Sequence, residues 1–104
     1  MDLVDLVYEA TKEMPEREFD LRRQIRRAVV SIPVNVAEGY RRKKKRLAYQ
    51  NHISIAMGSQ GELETELEIA RRNSFISQTR IEQVHGLNSR VGAMLYRLHE
   101  SLAD

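Results

Sequence analysis

Apolar residues recur along this chain at alternating steps of three and four, and nowhere do they alternate for long at a step of two. That period is one face of an α-helix, so the pattern predicts an all-α protein. Leu3, Val7, Ala10 and Met14 mark a first helix over residues 2–14. Pro15 ends it, because the residue before a proline avoids helical backbone angles. Leu21, Ile25, Ala28, Ile32 and Val36 mark a second helix over 16–38, with Glu16 and Glu18 in a first turn where the dipole favours negative charge. Gly39 then stands where a left-handed capping residue is expected, and Pro33 is expected to kink the helix near Val30. The third helix, over 44–73, carries Tyr49, Ile53, Ala56, Gln60, Leu63, Leu67 and Ala70 without a break. A fourth, over 78–102, carries Ile81, Val84, Asn88, Val91, Leu95, Leu98 and Leu102. Short links make successive helices antiparallel, so the simplest architecture is one domain over 1–104, an up-down-up-down four-helix bundle.

Small and polar residues gather where the second and third helices would meet: Ala28, Ser31 and Asn35 on one, Ala56, Gly58, Ser59 and Gly61 on the other. A helical glycine costs about 1 kcal/mol relative to alanine, so two within four residues predict a close helix approach there. Ser31, Asn35 and Asn88, if buried, each need a hydrogen-bond partner.

Charge changes the picture most. The net charge of +2 hides a separation, since residues 22–46 hold ten basic residues against Glu38 alone while the rest of the chain is acidic. Arg22, Arg23 and Arg26 are expected to meet Glu62, Glu64 or Glu66 in the same or a neighbouring subunit, with residue 22 level with 62 and 26 level with 58 across the helix hairpin. Arg41, Arg42, Lys43, Lys44, Lys45 and Arg46 have no comparable acids nearby and fall on a turn. They also sit at a helix N-terminus, where cations oppose the dipole and a bound phosphate would relieve the conflict. These six, with Arg27, are the candidate nucleic-acid contacts. Tyr40 and Tyr49 flank the run; either they stack on unpaired bases or, as the seam position favours, Tyr49 packs inside and Tyr40 covers the bundle end.

The absence of cysteine excludes disulfides and thiolate metal sites, and no apolar run approaches the roughly 18 residues of a membrane span. Without a secretion signal the expected location is cytoplasmic. At 104 residues, oligomerisation would help bury apolar surface.

The phrase over 24–39, Gln-Ile-Arg-Arg-Ala-Val-Val-Ser-Ile-Pro-Val-Asn-Val-Ala-Glu-Gly, is followed over 53–67 by Ile-Ser-Ile-Ala-Met-Gly-Ser-Gln-Gly-Glu-Leu-Glu-Thr-Glu-Leu. Together they resemble the bacterial four-helix-bundle family named for large-subunit (23S) rRNA intervening sequences. The likeness runs from about 15 to 70 and singles out Ser31, Asn35, Glu38, Gly39, Ser59 and Glu62 as its structural motif. It implies a left-handed antiparallel bundle, a homopentamer ringing a central funnel, and RNA rather than DNA as ligand. More distantly the chain resembles the accessory variability determinant of diversity-generating retroelements, a basic pentamer that binds nucleic acid and a reverse transcriptase. It departs from the family's usual pattern in the full basic run after Gly39 and in a short first helix.

Catalytic patterns are weaker. Arg80 and His85 have the Arg-x4-His form of HEPN ribonucleases, and Arg46 and His52 the x5 form, but with 13 arginines and three histidines about one match arises by chance. Glu82 and His85 make half of a di-iron carboxylate motif whose other half is missing. The expectation is a non-enzymatic oligomeric bundle, with no metal or cofactor, that binds nucleic acid through its basic turn. A protein-protein scaffold or adaptor is the first alternative and a HEPN-like ribonuclease the second.

Overall fold

The computed structural model describes residues 2–103, which form four α-helices and no strand. α1 spans Asp2–Thr11, α2 Phe19–Arg41, α3 Arg46–Arg72 and α4 Gln78–Ser101, with a 3-10 turn at Glu16–Glu18 leading into α2. They pack into an elongated helical bundle of 44 × 21 × 19 Å. The predicted seam positions supply its core. Leu3, Val7, Ala10, Ile25, Ala28, Ile32, Ile53, Ala56, Leu63, Ala70, Val84 and Leu95 are all buried, so the three-and-four spacing reports true inward faces.

Local chemistry moves the helix ends. α1 stops at Thr11, three residues short of the predicted end. The Thr11 hydroxyl donates to the Val7 and Tyr8 carbonyls at 2.8 and 3.1 Å, and the next three N–H groups turn back to carbonyls three residues earlier. Met14 still reaches the core from that turn. The turn is pinned from across the molecule: the Ser77 N–H donates to Glu13 Oε1 at 2.8 Å, and Arg80 lies 3.6 Å from Glu13 Oε2. Ser77 also caps α4, its hydroxyl accepting from the Arg80 N–H.

α2 continues through Pro33 and past Gly39 to Arg41. Gly39 is therefore not a left-handed cap, and no described glycine has positive φ. Its lack of a side chain serves packing instead: a Cβ there would lie 3.0 Å from both His52 Cβ and Tyr49 Cδ1. Gly58 and Gly61 behave oppositely to expectation, since a Cβ at either meets nothing within 4 Å, and the close approach of α2 to α3 occurs at Gly39. Among the described residues the one with left-handed backbone is Ser74, at φ 56°, which turns the chain after α3 so that the Phe75 N–H reaches the Ala70 carbonyl at 2.9 Å.

Cross-helix contacts define direction and register. Ser31 meets Ser59, Asn35 meets His52 and Gly39 meets Tyr49, so α3 numbers fall as α2 numbers rise. α3 and α4 are likewise opposed, with Glu64 near His85, Gln60 bonded to Asn88 and Gln50 to His99. α1 packs on α2 and α4, but α2 and α4 do not approach one another directly. At 10 residues against 27 for α3, α1 covers only one end of the α2/α4 gap. The uncovered end is an apolar groove of about 760 Å³, lined by residues that include Ile32, Val36, Tyr40, Val91, Met94 and Leu98.

Candidate nucleic-acid interface

The basic run occupies the α2–α3 turn. Arg41 closes α2, Arg42 to Lys45 form the connection and Arg46 opens α3; all six are exposed. Backbone bonds shape the turn, from Arg42 N–H to the Gly39 carbonyl at 2.9 Å and from Lys45 N–H to the Arg42 carbonyl at 2.8 Å. Lys45 is the N-cap of α3 yet offers no side-chain cap, and the first turn of α3 holds no acid. The N-terminus of α3 and the cationic side chains thus share one end of the body, where both favour an anion.

Neighbours neutralise only part of this charge. Arg41 lies 3.9 Å from Glu38, an exposed pair worth about 0 to 1 kcal/mol. Lys43 donates to the Tyr40 hydroxyl at 3.0 Å and rests 4.3 Å above its ring; this bond and the lysine charge hold the Tyr40 hydroxyl below the usual tyrosine range. Tyr40 does not seal the bundle end, because it stands 56% exposed with its ring edge-on to Tyr49 at 6.4 Å. Among the described residues, no acid pairs with Arg42, Lys44 or Lys45.

The motif residues do structural work beside the turn. Ser59 donates to Ser31 Oγ at 2.7 Å, and Asn35 Nδ2 donates to the Ser31 carbonyl at 2.9 Å and to its hydroxyl at 3.1 Å. With the amide so directed, Asn35 Oδ1 accepts from His52 Nδ1 at 3.2 Å. The chain Ser59, Ser31, Asn35, His52 therefore locks α2 to α3 about two to three turns from the basic run. His52 completes it, and nothing in its sequence spacing marks that role. Glu62 is exposed and adds its charge beside Glu66, whose carboxyl burial and that neighbour push up to about 7. Asn88 is buried, with Nδ2 on the Gln60 carbonyl at 3.4 Å and Oδ1 without a partner.

Within the chain, among the described residues, Arg22, Arg23 and Arg26 do not pair with Glu62, Glu64 or Glu66. The α2/α3 register is about a turn further along than a hairpin centred on Arg42 implies, and each glutamate takes another direction: Glu64 faces His85, Glu66 is buried and Glu62 faces solvent. Arg26 turns instead to α1, donating from Nε to Thr11 Oγ1 at 2.9 Å. Arg27 and Arg23 line a groove on this same side with Tyr8.

Of the residues in the Arg-x4-His pattern, Arg80 lies 3.6 Å from Glu13 and His85 3.9 Å from Glu64. Among the described residues no three His, Asp or Glu side chains are grouped to hold a metal ion. No helix there is long and apolar enough to cross a membrane.

Fold and site together define an all-α helical bundle with an exposed, only partly neutralised basic turn at one end. The chain belongs to the 23S rRNA-intervening sequence protein family, whose model matches residues 1–97. Its fold is also similar to that of a protein of unknown function from the S23 ribosomal protein family of Bacteroides thetaiotaomicron VPI-5482. That likeness has a TM-score of 0.78 at 23% identity, over 93% of this chain and 97% of the other. No curated protein matches the chain.

Proposed function

We propose that this chain is a non-enzymatic, cytoplasmic nucleic-acid-binding bundle that engages RNA in preference to DNA through residues 41–46, with Arg27 adding to the contact. Its helices form a left-handed, antiparallel up-down-up-down bundle, and its protomers a homopentamer that repeats the basic turns around a ring. The observation that carries binding is the exposure of Arg42, Lys44 and Lys45, without acidic partners among the described residues, at a helix N-terminus. Repetition would turn weak single contacts into useful avidity. About three to four phosphate contacts per engaged subunit give a log-log salt slope near −2 to −3 on single strands.

The apolar α2/α4 groove favours one other role, a protein-protein scaffold whose basic turn keeps it soluble or meets an acidic partner. Gel-shift titration against single-stranded and structured RNA and DNA at two salt concentrations separates the two. The variant Arg42→Ala/Lys43→Ala/Lys44→Ala/Lys45→Ala should lose binding while keeping its helicity and its mass by light scattering. Failure of the unmodified protein to bind any of these nucleic acids would leave the scaffold standing.

A further inference from the structure

We infer, building on the nucleic-acid binding proposed above, that the ligand is a single strand running from the basic turn along the outer face of α2 into the groove between α1 and α2. There Arg23, Arg27 and Tyr8 hold its far end. Three observations carry this path. The first is the groove itself, of about 560 Å³, lined by Tyr8, Arg23, Arg26, Arg27, Ser31 and Asn35 together with exposed Val30 and Val34. The chain's own Glu62, Glu64 and Glu66 face elsewhere; Asp20, beside Arg23 and Arg27, offsets one charge of the group.

The second is the pairing of cations with exposed aromatic rings. The Arg26 guanidinium lies 4.5 Å above the Tyr8 ring and is fixed there by Thr11 Oγ1 and, at 3.4 Å, by the Tyr8 carbonyl. Arg23 stands 5.8 Å from the Phe19 ring, and Lys43 repeats the arrangement on Tyr40. Such pairs offer a flat face for an unstacked base next to a charge for its phosphate, which a duplex with stacked bases cannot use. The third is their spacing. Arg23 and Arg41 are about 27 Å apart along the axis of α2, and Lys43 follows two residues beyond its end. That is the reach of roughly five extended nucleotides, within the usual site size of single-strand binders. Between them Val30 and Val34 give sugars and base faces an apolar surface, and Glu38 is the one acid, already turned to Arg41.

The test is fluorescence anisotropy with 5′-labelled mixed-sequence RNA of 3, 6, 9 and 12 nucleotides and a 12-base-pair duplex, at 50 and 200 mM salt. It compares the unmodified protein, the four-residue turn variant described above, Arg23→Ala/Arg27→Ala, Tyr8→Phe and Tyr8→Leu. Arg23 and Arg27 are exposed, so their removal spares the core, and circular dichroism confirms helicity. The path requires that Arg23→Ala/Arg27→Ala weaken the 9-mer about tenfold, leave the 3-mer unchanged and flatten the salt slope by about 1.4, the share of two phosphates. Tyr8→Phe should bind as the unmodified protein does, Tyr8→Leu about fivefold more weakly, and the duplex more weakly than the 12-mer. If the turn variant loses binding while Arg23→Ala/Arg27→Ala binds every length normally, the strand does not follow α2, although the turn still binds nucleic acid. If the duplex binds as tightly as the 12-mer, the ligand is not a single strand. Absence of binding by the unmodified protein overturns both the path and the function beneath it.

Discussion

Glu66 is the residue whose replacement tests the physics of this core most directly. It is 8% exposed, its Oε1 has no partner, and burial together with Glu62 raises its carboxyl from 4.5 to about 7. In the unfolded chain the same carboxyl ionises near its ordinary value. Between pH 4.5 and 7 the unfolded state therefore releases a proton that the folded state keeps, and stability falls as pH rises through that window, then levels off. A gap of this size corresponds to about 3 kcal/mol, and solvent relaxing around the carboxyl reduces it to roughly 2 kcal/mol. Glu66→Gln keeps the shape of the protonated acid and cannot ionise. It should match the unmodified protein at pH 4.5 and exceed it by roughly 2 kcal/mol at pH 8. Urea unfolding followed by circular dichroism, at fixed protein concentration and four pH values, gives the difference with all other titrations cancelled. In a Glu62→Gln background the gain should shrink, because the neighbouring charge is gone. A difference that stays constant from pH 4.5 to 8 would refute the assignment.

The glycines give a paired prediction by thermal and urea denaturation. Gly39→Ala should lose about 1 to 3 kcal/mol, because its Cβ would press on Tyr49 and His52, whereas Gly58→Ala should gain up to about 1 kcal/mol of helix propensity in open space. Ser74→Gly should raise stability by about 1 kcal/mol by relieving the left-handed strain of a residue with a Cβ, and Ser74→Val should lower the melting temperature. Removing the Ser31 hydroxyl as alanine should cost about 1 to 3 kcal/mol, since it meets both Ser59 and Asn35; a change below the error of urea unfolding would show that the α2–α3 lock is dispensable.

Helix number, helix type and inward faces were legible because they follow from a one-dimensional period: Val7, Ile32, Ala56 and Val84 are inside wherever the helices meet. The charge of residues 41–46 was equally plain, and so was their position on a turn. Partners were not. Gly39 reads as a cap in sequence because caps and close contacts ask for the same residue, and only α3 lying against it separates the two. Arg26 has the charge to meet a glutamate, but the one-turn change in register turned it to Thr11 and Tyr8. The Glu13 to Ser77 bond joins residues 64 apart and leaves no local pattern to read.

By itself, then, the sequence determined the elements, their buried stripes, the family likeness and the basic run, because backbone periodicity and composition act over a few residues. The tertiary structure decided which charges are neutralised and which stay open. It also decided which small residues admit a neighbour and where the bundle leaves grooves. Those outcomes depend on register and helix length measured between segments, and a shift of one turn, about 5.4 Å, exchanges every side-chain partner along the interface.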